Sequence, residues 1–384
     1  MKILFLDQSG KPGGAELCLI DIAKPYRDSC LVGLFADGAF RQLLEQQDIP
    51  VEVLTTESIQ VRKESSLMQG LSSMGSLLPL IAKVAQKARD YDLIYANTQK
   101  ALVVGALASL FSRRPLVYHL HDILSPDHFS QTNRAIAVTL ANTTAKLVIA
   151  NSQASQAAFV EAGGRSHLTQ VVYNGFDPEL YRTDESIRTT LRQQLGLDGR
   201  FIVGHFSRLS PWKGQHILIE ALTHCPEDVT AILVGEALFG EQEYAQSLHQ
   251  QVAQLGLEKR VRFLGFRSDI VQLMSACDVV AHTSTAPEPF GRVVVEAMLC
   301  GRPAIAAKAG GVVELVEHGR TGWLVPAGEP TFLAEAIAKC KDRPDVTATI
   351  AHQARDTASQ RFHLHAINQQ IAQLLEPIAL GKID

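Results

Sequence analysis

The segment Pro287 to Leu299, PEPFGRVVVEAML, sets two carboxylates, Glu288 and Glu296, on either side of an expected helix start. Pro287 and Pro289 hold Glu288 in an extended loop, because proline fixes its own φ and keeps the residue before it out of the helical region. Gly291 has no Cβ, so a ligand can approach the main chain there. From Arg292 the run RVVVEAMLC reads as a buried helix stopped by Gly301 and by Pro303 two residues later. Its unbonded N–H groups and positive dipole end favour an anion, phosphate above all, beside Glu288. Glu296, about one turn inside, stands among Val293, Val294, Val295, Ala297, Met298 and Leu299. A carboxylate buried alone is costly, so it needs a partner. A neighbouring arginine and a pair of ribose hydroxyls both fit.

Other polar residues fall at the ends of apolar runs. Arg208 and Lys213, in GHFSRLSPWKGQ, follow one such run, with Pro211 and Gly214 shaping the loop and a helix expected near Gln215. Two cations at a strand's carboxyl end are placed to neutralise a diphosphate, although a solvated pair has the same pattern. Pro12-Gly13-Gly14-Ala15-Glu16 follows the first strand and opens the first helix, so Gly13 and Gly14 can bring backbone N–H groups up to a ligand. The G-x-G-x-x-G spacing is missing, which speaks against a nicotinamide site. In Tyr118-His119-Leu120-His121-Asp122, His119 faces the sheet when His121 lies beyond the strand end. Gly235-Glu236 and Phe263-Leu264-Gly265-Phe266-Arg267 lie where backbone groups can hold a nucleotide base, and core packing accounts for the two phenylalanines equally well.

These residues need strand ends to hold them, and the chain supplies strands. Short apolar runs alternate with helix-period segments throughout, the pattern of βα units and parallel sheets. The first series reads Ile3–Leu6, Cys30–Phe35, Val51–Leu54, Leu93–Ala96, Leu116–His119, Leu147–Ala150 and Gln170–Tyr173. A second reads Phe201–His205, Thr230–Val234, Val261–Leu264, Val279–His282, Ala304–Ala306 and Gly322–Leu324. The turn cluster Asn174-Gly175-Phe176-Asp177-Pro178 separates them. The expectation is an α/β protein of two doubly wound, Rossmann-like domains facing across a cleft. Their ranges are 1–175 and 176–356, with a helical segment 357–384 that caps the second domain or crosses back to the first. The polar stretch 55–71 reads as a loop.

The chain has 384 residues, enough for two cores, and a net charge of −4, which argues against an electrostatic nucleic-acid binder. Residues 1–175 carry 16 basic and 15 acidic groups against 20 and 25 in the rest, so an anionic acceptor or membrane surface meets the first half more readily. Six scattered cysteines form no C-x-x-C and no metal-ligand cluster by spacing. The apolar run before Asp7 reads as a strand and not a signal peptide, and the longest apolar stretch, Ala101 to Phe111, is about half of a membrane span. A cytoplasmic protein is expected, at most peripheral to a membrane through its first domain, where Lys83, Lys87 and Arg89 share a helix with Leu77, Leu78, Leu80, Ile81 and Val84.

The order GGAE, HLHD, NGFD, FSRLSPWKG, PEPFGRVVVEAMLCGRP, AGGVVELV and TGWLVP resembles glycosyltransferase family 4, retaining enzymes of the GT-B fold. The resemblance runs from Met1 to about residue 330, and the two glutamates with seven residues between them carry most of its specificity. It implies a nucleoside-diphosphate sugar, UDP- or GDP-linked, bound mainly to the second domain. Arg208 and Lys213 are similar to the pair that holds the diphosphate as leaving group, Glu296 to the ribose-binding acid, and Glu288 to the glutamate beside the donor sugar. The N–H groups of Phe290, Gly291, Arg292 and Val293 would complete the cradle. His121 is similar to the first-domain histidine near the donor sugar, and Gly13 and Gly14 to the loop that closes over donor and acceptor. No metal and no cofactor is implied, and no Asp-x-Asp stands ready to chelate a metal diphosphate. The acceptor, a sugar, a lipid-linked sugar or a small molecule, belongs by resemblance to cell-envelope glycan, glycolipid or polysaccharide synthesis. A sugar-nucleotide epimerase, a phosphorylase of the same fold and a non-enzymatic sugar-binding protein are the alternatives.

Overall fold

The computed structural model describes residues 1–55, 67–182, 184–238 and 240–382. The chain forms two compact units, Met1–Gly175 with Leu364–Asp384, and Phe176–His363. Of the expected loop at 55–71, residues 56–66 lie outside the described residues, and a helix already begins at Leu67.

In the first unit the strands are β1 (Ile3–Asp7), β2 (Cys30–Leu34), β3 (Val51–Val53), β4 (Leu93–Ala96), β5 (Leu116–Leu120), β6 (Ala145–Ala150) and β7 (Thr169–Val171). They pair in parallel in the order β3-β2-β1-β4-β5-β6-β7. Strands of a parallel sheet are covered on both faces and therefore read as continuous apolar runs, as ILFL and LIYA do. One face lies under Leu80, Ile81 and Val84 of the helix Leu67–Ala88, which is thus packed on the sheet, and its Lys83 and Lys87 are drawn to Glu52. The other face is covered in part by the last helix, Leu364–Ala379, whose Ile367, Ile371, Leu375 and Ile378 recur at helical spacing in a cluster with Ile3, Phe5 and Val117.

The second unit holds β8 (Phe201–Phe206), β9 (Val229–Val234), β10 (Val261–Gly265), β11 (Val279–His282), β12 (Ala304–Ala307) and β13 (Gly322–Val325), in the order β10-β9-β8-β11-β12-β13, again parallel. The helix Pro344–Arg361 packs on the helices Arg292–Leu299 and Pro330–Asp342 of this unit, so the chain returns to the first unit at Leu364 and not at 357. Among the described residues no helix is long and apolar enough to cross a membrane.

Asp278 ties the second unit's first helix, Glu185–Gln194, to its sheet. It accepts hydrogen bonds from Arg188 Nη2 (2.7 Å), Arg192 Nη2 (2.6 Å) and the Ile202 backbone N–H (2.7 Å). Both arginine side chains are mostly covered, and removing the shared acid strands two cations. Asp278→Ala should cost roughly 3 kcal/mol. Urea unfolding followed by tryptophan fluorescence reads this unit alone, because Trp212 and Trp323 both belong to it. A loss much below 1 kcal/mol would show that Asp278 does not anchor the helix.

Candidate active site

In each sheet the strand order reverses once, between β1 and β4 and between β8 and β11. Loops leaving the carboxyl ends of strands at such a point diverge and leave room for a ligand. In the second unit those loops carry Arg208, Lys213 and Glu288. The loop after β8 tightens into a short turn, Pro211–Lys213, and closes through Gly214 at φ +70°. A Cβ on Gly214 would lie 2.0 Å from the Thr283 carbonyl oxygen, so only glycine lets this loop meet the end of β11.

Lys213 Nζ then reaches both oxygens of Glu288, at 2.9 and 2.8 Å. Ser284 Oγ donates to Glu288 Oε2 at 2.9 Å, and His282 Nε2 lies 3.3 Å from the same oxygen. The Glu288 backbone is fixed as well, its carbonyl accepting from Gly311 N–H at 2.7 Å. Burial opposes ionisation of Glu288, but the Lys213 charge and the His282 hydrogen bond outweigh it and hold the carboxyl well below its ordinary range. Trp212 lies beside both cations, with its ring centroid 4.0 Å from Lys213 Nζ and 5.9 Å from Arg208 Cζ. His205, buried under this loop and meeting Thr283 Oγ1 at 2.9 Å, is pushed down to about 3 by burial and the neighbouring His282, so its ring is neutral.

Gly291, at φ +96°, opens the helix Arg292–Leu299, one turn of which separates Arg292 from Glu296. Arg292 Nε is 3.5 Å from Glu296 Oε1, a loose ion pair, and the guanidinium lies over the Phe176 ring at 4.5 Å. Glu296 has therefore taken the arginine as a partner, yet burial outweighs it and raises the Glu296 pKa. The Val293 side chain is partly buried against Leu191, Ile202 and their neighbours. The Phe290 ring is buried between Phe176 and Phe362, so any ligand contact at this residue is through its backbone, the group expected there. Phe263 packs on His249 at 3.9 Å between ring centroids, whereas Phe266 is 72% exposed. The turns after β9 and β10 are joined, Gly235 N–H donating to the Gly265 carbonyl (2.8 Å) and Phe266 N–H to Glu236 Oε1 (3.3 Å).

In the first unit the ends of β1, β4 and β5 converge on Asp7, Asn97 and His121. Asn97 Nδ2 donates to Asp7 Oδ2 (2.7 Å) and to the Ala15 carbonyl (3.1 Å), and His121 Nε2 lies 2.9 Å from Asn97 Oδ1. Gly13 is the N-cap of the helix Gly14–Ala23, and Glu16 sits in its first turn, buried. Burial, then the Asp7 charge, pushes Glu16 up to about 8, and burial pushes Asp7 and Asp122 each up to about 6. His119 is buried beside His121, their ring centroids 3.9 Å apart, and Tyr95 Oη meets its Nδ1 at 2.7 Å. Cys18, His119 and His121 also offer one ligand atom each within 4.8 Å of one another, a grouping that cysteine spacing did not reveal. The Cys18 thiol donates to Asn174 Oδ1 at 3.4 Å.

Comparison with known proteins agrees with this layout. The model for Glycosyltransferase Family 4 matches residues 12–180, and the model for Glycosyl transferases group 1 matches 187–357. The Anabaena protein HepE, solved in complex with UDP-glucose, is 68% identical over 98% of this chain and 99% of its own, with a TM-score of 0.92. The chain belongs to glycosyltransferase family 4, of the GT-B type. D-inositol 3-phosphate glycosyltransferase of Corynebacterium glutamicum (strain R) is 28% identical across 77% of this chain and 74% of its own, and spore coat protein SA of Bacillus subtilis (strain 168) 29% across 67% and 70%.

Of the residues named from their motifs, Arg208, Lys213, Glu288 and Glu296 lie around the reversal point of the second sheet, and His121 lies at that of the first. Motif reading missed Trp212, His282 and Ser284, and on the other sheet Asp7 and Asn97. His282 is the last residue of β11, a strand-end position like that of His121 after β5.

Glu16 gives the first unit a pH dependence. Its pKa is raised from 4.5 to about 8, so between those values the folded chain keeps a proton that the unfolded chain releases. Stability from this group is therefore full below the lower value and falls as pH rises through the upper one. Because the Asp7 charge acts on Glu16, the two acids titrate together. Glu16→Gln should flatten the decline and be more stabilising, relative to the parent, above about pH 8 than near pH 5. Calorimetric unfolding at the two pH values decides this, and an unchanged difference would place a charged Glu16 in the native state.

Proposed function

We propose that this glycosyltransferase transfers glucose from UDP-glucose, with retention at the anomeric carbon and without a metal or other cofactor. Support for the donor comes first from HepE, 68% identical and solved with UDP-glucose, with UDP, and with UDP and glucose. The single structural observation that carries the reading is the group Arg208, Lys213, Glu288 and the Gly291-capped helix start at one sheet's reversal point. In this reading Arg208, Lys213 and the helix N–H groups take the diphosphate, Glu296 the ribose hydroxyls, and the loop of Glu288 the sugar hydroxyls, through its backbone more than its engaged carboxylate. The base lies against backbone of the Gly235 and Gly265 turns. The β-phosphate leaves as the acceptor hydroxyl attacks the same face, its proton passing to the departing oxygen. The acceptor is a hydroxyl on a sugar, a lipid-linked sugar or a small molecule of cell-envelope glycan or polysaccharide synthesis.

Thermal unfolding with UDP, GDP and ADP in parallel tests the donor. A ligand at one hundred times its Kd adds about 2.7 kcal/mol, so UDP alone should raise the midpoint by a few degrees and Glu296→Ala should remove the shift. A shift with GDP alone would assign a different base. Lys213→Ala and Arg208→Ala should each lower UDP-glucose turnover by about 10²–10³, since each stabilises charge that appears as the bond breaks. Turnover that survives prolonged EDTA treatment separates metal-free transfer from metal-assisted transfer.

A further inference from the structure

The amino ends of β8, β11 and β12 gather three arginines around one aspartate. Arg188 Nη2 and Arg192 Nη2 donate to the two oxygens of Asp278, at 2.7 and 2.6 Å, and Arg192 Nε donates to the Ala276 carbonyl, the end of the helix Ile270–Ala276, at 2.8 Å. The third cation, Arg302, stands in the turn before β12, which Val280 N–H ties to β11 by donating to the Pro303 carbonyl at 3.0 Å. Glu185 adds a second acid 3.2 Å from Arg188 Nη1, but its side chain is 72% exposed and water screens it. Among the described residues no acid lies within ion-pair distance of Arg302. The Nε–H groups of Arg188 and Arg302 are both buried, and neither meets an acceptor among those residues. Burial, then the Arg188 charge, lowers the Arg302 pKa, so the two guanidinium groups lie in each other's field. A buried donor without an acceptor calls for a water or an ion, and a surplus of positive charge beside it favours an anion.

We propose that Arg302 and Arg188, with Arg192 sharing their aspartate neighbour, form a binding site for a phosphate-type oxyanion at the end of the second sheet away from the donor loops. Arg208 and Glu288 follow the carboxyl ends of β8 and β11, whereas Asp278 and Arg302 precede the amino ends of β11 and β12. Strands of four to six residues set the two ends roughly 13–20 Å apart, so a single small anion does not reach both. The unfilled N–H groups come from a helix and from a turn. A tetrahedral oxyanion offers them oxygens in more than one plane, whereas a carboxylate offers two in one plane.

Thermal unfolding of the full chain tests this, followed by the fluorescence of Trp212 and Trp323, which reads the second unit. It is run in sodium phosphate, sodium acetate and sodium chloride at one pH and one ionic strength. Phosphate should raise the midpoint above that in chloride, and the concentration dependence gives a Kd. Arg302→Gln should weaken that Kd by about tenfold or more, the worth of a hydrogen bond to a charged group. Because phosphate can also enter the diphosphate cradle, the titration is repeated on Arg208→Ala, which should keep the parent's dependence. A midpoint no higher in phosphate than in chloride overturns the site. A shift kept by Arg302→Gln and lost in Arg208→Ala puts the anion in the cradle and overturns it too, and a shift as large with acetate overturns the phosphate class. Arg302→Lys keeps the charge without the planar fork and should bind phosphate less tightly than the parent. Should Arg302→Gln fail to fold, this variant decides alone, since parent-like affinity in it shows that the fork is not the anchor.

Discussion

The second unit is organised around the cost of a buried carboxylate. Glu288 lies in a loop with little water around it, and an acid there must be compensated or neutralised. Lys213 answers on one side, Ser284 and His282 on the other, and each answer constrains backbone that would otherwise be free. Lys213 can reach only because Gly214 adopts φ +70° under the Thr283 carbonyl. Glu288 can stay only because Gly310 leaves space where a Cβ would come within 2.3 Å of the Glu288 carbonyl oxygen. Three loops from three strands thus converge on one charge. Lys213 can join a diphosphate only by sharing itself with Glu288.

The first unit meets the same problem with the opposite solution. Its strand ends bring together Asp7, Glu16 and Asp122, and burial pushes all three carboxyls up. Asn97 and backbone N–H groups lower Asp7 only in part, and Glu16 sits against Asp7. Two sheets of similar design therefore present different electrostatics at their reversal points, cationic and ion-paired in one and acidic with protonatable carboxyls in the other. The charge count of each half gave no sign of this, because 16 basic and 15 acidic groups in residues 1–175 sum to near neutrality while the acids alone gather at the strand ends.

Much of the fold could be read because parallel strands must be buried on both faces, which writes each strand as an apolar run bounded by polar turns. All the expected strands are present, most with ends displaced by one or two residues, as with β6 from Ala145 in place of Leu147. The return of the chain at Leu364 was not legible to the residue, since the helices Pro344–Arg361 and Leu364–Ala379 have similar periodicity and only their partners differ. The same limit hid His282, Ser284, Asp7 and Asn97. Spacing along the chain shows which face a residue takes, but Asp7 and Asn97 stand 90 positions apart and are brought together only by the pairing of β1 with β4.

Glu288 and Glu296 differ in the same way. Their spacing treats them alike, as acids flanking a helix start, and the structure sends them in opposite directions. Glu288 has its oxygens engaged by a lysine, a serine and a histidine, and is held ionised. Among the described residues Glu296 has one loose partner, Arg292 at 3.5 Å, and burial keeps its pKa up. An acid already saturated with donors gains little from a further hydroxyl, whereas one with unfilled acceptor capacity gains a hydrogen bond it otherwise lacks. On those grounds the ribose role proposed for Glu296 has a stronger physical basis than direct sugar binding by the Glu288 carboxylate. Glu288 meets a ligand most readily through its rigidly held loop and through the lysine it fixes in place.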